Sequence, residues 1–363
     1  MTYQLLVTDL RSDSLMDRLP VQQVTCDDYI GKSGTFSGTI PVPDLTTARR
    51  VQDALISGRT ALWLLRGSSV VWSGIMWTDV QVSVDRGASS VQIQASTAES
   101  YLRDHRQIVD HRIYTATDQL DIVRDLVNYA QGKSGGNIGI EVPVTPASGV
   151  LRDRTFVMWD LAYIGRRIDE LAATANGFEW RINYYRDGNG ARHRVLQLGY
   201  PRITMGTSDT VLSMPGQILS YKMNRDASVQ ANAWIARGAT PNSNLAAASY
   251  PLLSAALTSP ADYAAGWPRL DGSSDYSSVT DPTTLQQHAE ADLARQARPV
   301  VIPQVTIRPG DDGLPALGST VRLRIVDLWH PTGYNARYRV VGWRLTPEER
   351  GRAESADLYL EVA

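Results

Sequence analysis

Chemistry in this chain could start from five histidines, one cysteine and a scatter of carboxylates. Asp104-His105-Arg106 and Asp110-His111-Arg112 echo each other six residues apart. On an extended segment that spacing points both imidazoles to one side, where they could share a metal. A third ligand is missing from the stretch and no H-E-x-x-H helix occurs, so the two triplets read as hydrogen-bonding groups at a domain seam. His193, His288 and His330 are isolated in sequence. Gly132-Lys133-Ser134 ends like a phosphate-binding loop, yet the glycine that the motif needs five residues earlier is Val127. Gly132 to Gly136 also spells the nucleophile elbow G-x-S-x-G. Both motifs need a turn from strand to helix, whereas this one follows a helix and reads as its C-cap and a loop. Asp311-Asp312-Gly313 lacks the alternating oxygens of a calcium loop and reads as a turn. Glu170 and Glu179 could be set up as a hydrolase pair, but nothing in the sequence fixes their separation. No catalytic, cofactor-binding or metal-binding residue is assigned, and the expectation is a protein without enzymatic activity or cofactor.

One segment has the composition of a binding loop. Tyr263-Ala264-Ala265-Gly266-Trp267-Pro268 through Tyr276-Ser277-Ser278 mixes Tyr, Trp, Ser, Gly and Asp, as surfaces that hold sugars or partners do. A structural excursion packed on its own domain or on a neighbouring subunit is the reading preferred here.

The whole chain sets limits on these options. It has 363 residues, 36 Lys+Arg against 38 Asp+Glu, 43% apolar and 20% charged residues. That is the profile of a globular protein of two to four domains. A net charge of −2 excludes nucleic-acid binding through global basicity. Only Lys32, Lys133 and Lys222 are lysines, so the positive charge is almost all arginine. The lone Cys26 excludes an intrachain disulfide and any zinc site built from several cysteines. The N-terminus lacks a basic and apolar leader, and no run approaches 18 apolar residues. A protein without a signal peptide or membrane span, made in a reducing cytosol, is expected.

The elements follow from periodicity. Asp79 to Asp85 and Val91 to Ser96 alternate around Arg86-Gly87-Ala88-Ser89-Ser90, predicting a hairpin that buries Val80, Val82 and Val84 beside Val91, Ile93 and Ala95. Thr60 to Arg66 and Val70 to Trp77 predict a second pair. One helix interrupts them, capped by Asp44, with Leu45, Ala48, Val51, Leu55 and Ile56 as its stripe. A helix is predicted from Thr117 or Asp118 to Gly132, and another over about Trp159 to Asn176. Phe178 to Tyr184 and Val195 to Leu198 flank Asp187-Gly188-Asn189-Gly190 as a hairpin. Two strands are expected around Asn224-Arg225-Asp226, and a helix from Asp281-Pro282 to just before Pro299. Three strands close the chain, the middle one changing phase between Val340 and Val341 as a β-bulge does. The fold class expected is mainly β with an α+β insertion. Residues 1–104 form a small β-barrel with one helix, 105–200 an α+β domain, and 201–363 a second barrel with an insertion at about 240–298.

The order of these parts, more than any motif, carries a resemblance. The run Gly34 to Pro43 leads into the capped helix, and Gly58 to Leu64 and Val70 to Ile75 follow it. Ala316 to Leu323 and the closing pair Tyr338 to Leu345 and Asp357 to Val362 sit at the other end. Across most of its length the chain resembles the baseplate hub and tail-tip minor tail proteins of long-tailed bacteriophages, which are similar to hub proteins of contractile injection systems. The resemblance implies a homotrimeric ring at the end of the tail tube, two related barrels per subunit matching sixfold to threefold symmetry, and passage of DNA during ejection. It implies as partners the tail tube or distal tail protein and further tail-tip or receptor-binding proteins. The location it implies is the virion tail tip, after assembly in the host cytoplasm. Arg322, Arg324, Arg337 and Arg339 are then expected as subunit or solvent contacts rather than a DNA track. A peptidoglycan-cleaving domain, appended in longer members, is not expected, because the chain ends two residues after Glu361. A cell-wall-degrading tail lysin or a carbohydrate-binding module acting through Trp267, Tyr263 and Tyr276 is the alternative.

Overall fold

A computed structural model describes residues 3–85, 88–174, 176–240, 249–277, 279–297, 300–310 and 313–362. The chain divides into two compact units, Met1–Tyr221 with Val305–Ala363, and Lys222–Gln304.

The first unit opens with β1 (Tyr3–Asp9), β2 (Leu15–Leu19), β3 (Gln22–Tyr29) and β4 (Thr35–Val42). Then come α1 (Leu45–Ala54), β5 (Thr60–Arg66), β6 (Ser69–Val82), β7 (Ser89–Ser96) and α2 (Glu99–Asp104). Asp44 accepts from the Thr47 amide and so caps α1, whose Val51 and Ala54 turn inward. Arg50 of α1 reaches Asp17 and the Arg18 carbonyl on β2, covering a sheet edge that would otherwise offer free acceptors.

The middle of the chain supplies β8 (Arg112–Asp118), α3 (Gln119–Gly132), β9 (Ile140–Glu141), β10 (Leu151–Phe156), α4 (Ile164–Ala172), β11 (Glu179–Arg186) and β12 (Arg192–Gly199). Asp118 caps α3 and also receives the Ser148 and Gly149 amides, so one carboxylate fixes both the helix start and the loop before β10. The second helix is shorter than its periodicity predicts. Met158–Asp160 is a 3-10 turn, and α4 begins only at Ile164, because Leu161 adopts φ 45° and ends the helical path. Leu161 and Trp159 are therefore exposed, while Ile164, Ile168 and Leu171 are buried as expected. Ala175, placed on the same stripe, lies outside the described residues.

β13 (Met205–Met214) and β14 (Ile218–Asp226) follow. The second unit holds β15 (Ala233–Arg237), β16 (Leu257–Thr258), α5 (Pro260–Ala264), β17 (Asp271–Asp275) and α6 (Pro282–Gln296). The chain closes with β18 (Val300–Ile307), β19 (Ser319–Ile325), β20 (Tyr334–Thr346) and β21 (Ser355–Val362). No hairpin forms around Asn224-Arg225-Asp226: β14 runs straight through them, and β15 pairs instead with β16 and β17. The turn at Asp311-Asp312 and the centre of the turn at Arg86-Gly87 lie outside the described residues, as do residues 241–248 of the insertion.

Thirteen strands share one sheet, in the order β14-β18-β21-β20-β3-β4-β7-β6-β5-β1-β2, with β19 on β20 and β13 on β19. The fold is mainly β, with an α+β layer from the middle of the chain. Strands from both ends of the sequence are joined, because β20 pairs with β21 on one side and with β3 on the other, Gly342 opposite Tyr29. No closed ring of pairings occurs among the described residues. The expected bulge is present: Val340 faces Leu360 and Gly342 faces Tyr359, leaving Val341 as the extra residue. A side chain at Gly342 would have its Cβ 2.2 Å from the Tyr29 ring, so this crossing of strands needs glycine.

A second bulge overturns one expectation. Between Met76 and Thr78 the β6–β7 register slips, which places Val80 opposite Gln92 on the outward face and Asp79 opposite Ile93. Val80 and Val84 are exposed, while Val91, Ile93 and Ala95 are buried. One extra residue reverses every later side chain on a strand.

Leu6, Trp63, Ile75 and Leu102 pack in one hydrophobic cluster with Leu120, Val123, Ile164, Ile168, Trp180 and Ile182. The early strands and the α+β layer thus share a core, and each fully buried side chain of this kind contributes roughly 1.5–3 kcal/mol. The second unit has a separate small core of Ala231, Trp234, Ala236, Leu285 and Ala289.

Candidate functional site

The residues singled out for chemistry are dispersed. His105 stacks on Trp77 at 4.1 Å between centroids and His111 meets the edge of Trp159 at 4.7 Å, so their rings serve different aromatic partners. Their neighbours do hold the α+β layer, Arg106 donating to the Ala130 carbonyl and Asp104 pairing with Arg166. Lys133 pairs with Asp110 over the Tyr129 ring, and Gly136 closes the α3 C-terminus by donating to the Lys133 carbonyl. Glu170 faces solvent beside Arg167, and Glu179 is taken up by Arg339. His193 lies between Glu141 and Asp187, the Glu141 hydrogen bond raising its pKa. His288 stacks on Tyr276, and His330 sits beside Tyr334. Cys26 is buried, which pushes its thiol up and leaves it unreactive. Among the described residues no three metal-ligating side chains gather, and no helix is long and apolar enough to cross a membrane.

The aromatic loop does not form a platform. Tyr276 packs on the core of the second unit and donates to Asp292 at 2.7 Å, and Tyr263 is half-buried with its hydroxyl turned to the Asn232 carbonyl. Trp267 is the exposed member of the three. Ser278 lies outside the described residues.

What the fold does assemble is a set of buried charges tying β3, α2, β11 and β20 together. Arg339 is buried; it donates from Nε to Glu361 at 2.7 Å, and from Nη1 to Glu179 and to the Ile203 carbonyl, each at 2.7 Å. Glu179 in turn accepts from the Ile203 amide at 2.8 Å. Burial alone would lower the Arg339 pKa, but the two carboxylates outweigh it and hold the guanidinium charged. Arg103 grips Asp169 with two donors and reaches Ser33 and the Gly31 carbonyl. Arg181 pairs with Asp28, both buried, and donates to Asn183 and Gln197. Glu99, equally buried, accepts the Ile182 amide. Burial pushes Asp28 up to about 6, against the pull of Arg181 and aided by the nearby Glu99 carboxylate. A cavity of about 270 Å³ adjoins this cluster, lined by Asp28, Arg66, Arg181, Asn183, Met205 and Trp343.

The late-strand arginines, expected at subunit or solvent contacts, divide. Arg322 and Arg337 face each other across β19 and β20 and both bind Asp209 of β13, at 3.0 and 2.8 Å. Their hydrogen bonds, Arg337 first, hold the Asp209 carboxyl low. Arg339 is internal, which corrects its expected placement at the surface, because Glu179, Glu361 and the Ile203 carbonyl close over its guanidinium. Arg324 is exposed. Three of the four cations are thus neutralised within the chain. Asp209 and Glu179 lie more than a hundred residues from these arginines, so no spacing rule could have found them.

No protein-family model matches the sequence, and no curated protein sequence matches it. Solved structures do match along nearly the whole chain. The tail protein from Neisseria meningitidis MC58 is similar with 14% identity and a TM-score of 0.58, over 99% of this chain and 96% of that one. The 43 kDa tail protein of prophage MuSo2 from Shewanella oneidensis is similar with 9% identity and a TM-score of 0.60, over 99% and 98%. A type VI secretion component of E. coli, described as structurally similar to the bacteriophage T4 tail proteins gp27 and gp5, matches with 9% identity and a TM-score of 0.51, over 95% and 74%. With the sheet, the α+β layer and the closing strands all inside these alignments, the chain has the fold of phage tail proteins.

Proposed function

We propose that this protein is the structural hub of a phage tail tip or baseplate. In this reading three copies form a ring that closes the tail tube, adapts sixfold to threefold symmetry and passes DNA on infection, without catalysis or a cofactor. The observation that carries it is the fold likeness to two tail proteins over 99% of this chain and at least 96% of theirs. Residues 1–104, 105–200 and 201–363 then serve as first barrel-like domain, α+β domain and second barrel-like domain, with the tail tube or distal tail protein and further tail-tip proteins as partners. The charge pattern supports a conduit that does not hold DNA: the net charge is −2, and Arg322 and Arg337 are both engaged by Asp209. The carboxylates of a glycosidase are free to work on substrate, whereas Glu179 is held by Arg339.

Light scattering on the eluting protein and a pull-down with tail-tube protein test the reading together. Trimers that capture the tube protein are expected. A chain that stays monomeric at high concentration and ignores the tube protein refutes it. Cell-wall turbidity loss that disappears in Glu170→Gln would favour a lysin instead.

A further inference from the structure

Two acids and one base meet out of water where β3, α2 and β11 come together. Asp28 is 4%, Glu99 1% and Arg181 7% exposed, so none of the three charges is hydrated from outside. Asp28 accepts the Tyr29 amide at 2.9 Å through Oδ1 and the Arg181 guanidinium through Oδ2. Glu99 accepts the amide of the next residue on β11, Ile182, at 2.5 Å through Oε1. The other Glu99 oxygen, Oε2, and the Arg181 Nε are buried and have no hydrogen-bond partner among the described residues.

The groups around Asp28 decide how it behaves. β11 supplies Arg181 and the buried Tyr184, α2 supplies Glu99, and β3 itself supplies Asp27 and the buried Cys26. Arg66 of β5 lines the adjoining cavity but is engaged by Glu354 and the Gly310 carbonyl. Opposite Asp28 in the ladder, β20 places the uncharged Trp343. With Asp28 ionised, two buried carboxylates share one guanidinium, and the excess negative charge lies where water does not solvate it. With Asp28 protonated, Glu99 and Arg181 balance. Burial first, and the Glu99 carboxylate with it, push Asp28 up to about 6, although Arg181 pulls the other way.

We propose that Asp28 is a proton-operated latch on the seam between the first strands and the α+β layer, shut while Asp28 holds its proton and loosened when the proton leaves. The proton passes to water, for which the adjoining cavity of about 270 Å³ has room, at roughly 30 Å³ a molecule. The folded value lies above the ordinary 3.8, so the stabilisation by protonated Asp28 is complete below about pH 4 and is lost as pH rises through about 6. The Ile182 amide reports the latch, because an ionised Asp28 repels the Glu99 carboxylate that holds it. The latch lies within one chain and does not depend on the hub reading.

Hydrogen exchange of the full chain between pH 4 and pH 8, with the intrinsic pH dependence of exchange divided out, is the test. Protection of the Ile182 amide is expected to fall on the order of fiftyfold across that range, the rise from 3.8 to about 6 converted, while Leu323 in β19 stays level. Asp28→Asn keeps an acceptor but cannot ionise, so its Ile182 protection should not change with pH. Glu99→Gln removes the neighbouring charge and should move the midpoint of the fall to lower pH; it decides the matter alone if Asp28→Asn does not fold. A flat profile at Ile182 in the wild type, an equal fall at Leu323, or a midpoint unmoved in Glu99→Gln overturns the latch.

Discussion

The two compact units are stabilised in different ways. The first buries Trp63, Trp72 and Trp180 among many leucines, isoleucines and valines, and sets its ion pairs between strands distant in sequence. Among the described residues the second has one small apolar cluster, Ala231, Trp234, Ala236, Leu285 and Ala289, and depends on polar staples. There Asn232, fully buried, donates to the Pro268 carbonyl and accepts the Leu270 amide, each at 2.9 Å, and Tyr276 is fixed to Asp292. A large apolar core tolerates buried charges because other terms outweigh their desolvation. A small core lacks that reserve, so each staple carries a larger share of its stability.

The sharpest way to break this contrast is Arg339→Met. It leaves the Ile203 carbonyl without its donor and the part-buried Glu179 without its cation, so a loss of about 3 kcal/mol is expected in denaturant unfolding of the first unit. A loss below about 1 kcal/mol would show that the network is decorative. Acidity probes the same unit. Asp28 has a folded pKa of about 6, above its ordinary value of 3.8. The stabilisation by its protonated form is complete below about pH 4 and fades as pH rises through about 6, on the order of 3 kcal/mol. Asp28→Asn should remove that slope from the stability–pH profile; an unchanged profile would exclude Asp28 as its source.

In the second unit Leu285→Ala should cost about 2–3 kcal/mol. Hydrogen exchange should then open α6 and β15 while β5 and α3 keep their protection. Equal loosening of both units would end the distinction. The smallest effect expected is that of Asn232→Ala, about 1–2 kcal/mol, from leaving the Leu270 amide without its acceptor. It should appear as faster exchange at Leu270, and no change there would remove the staple from the account.

Much of the local structure was legible beforehand. Asp44, Asp118 and Asp281 all cap the helices they were expected to start, because capping depends only on a side chain and amides two or three residues on. The hairpin at Asp187–Gly190 and the bulge at Val341 followed from turn chemistry and a change of phase. The errors came where a distant partner decided. Periodicity ran a helix through Trp159 and Leu161, yet the loop from Leu161 to Tyr163 leaves helical geometry where the Ala162 carbonyl accepts the Ile108 amide. Val80 read as buried until the slip at Met76–Thr78 reversed it. β13 went unseen because its pairing is parallel and reaches across more than a hundred residues to β19.

By itself, then, the sequence determined the β-rich class, the helix starts and the tight turns, all of which depend on neighbours within a few residues. Only the tertiary structure decided that β3 and β20 join the two ends in one sheet, that Arg339 is internal, and that Leu328 and Trp329 face water. Those outcomes rest on burial and pairing between segments hundreds of positions apart, where the energy lies in contacts that no local pattern encodes.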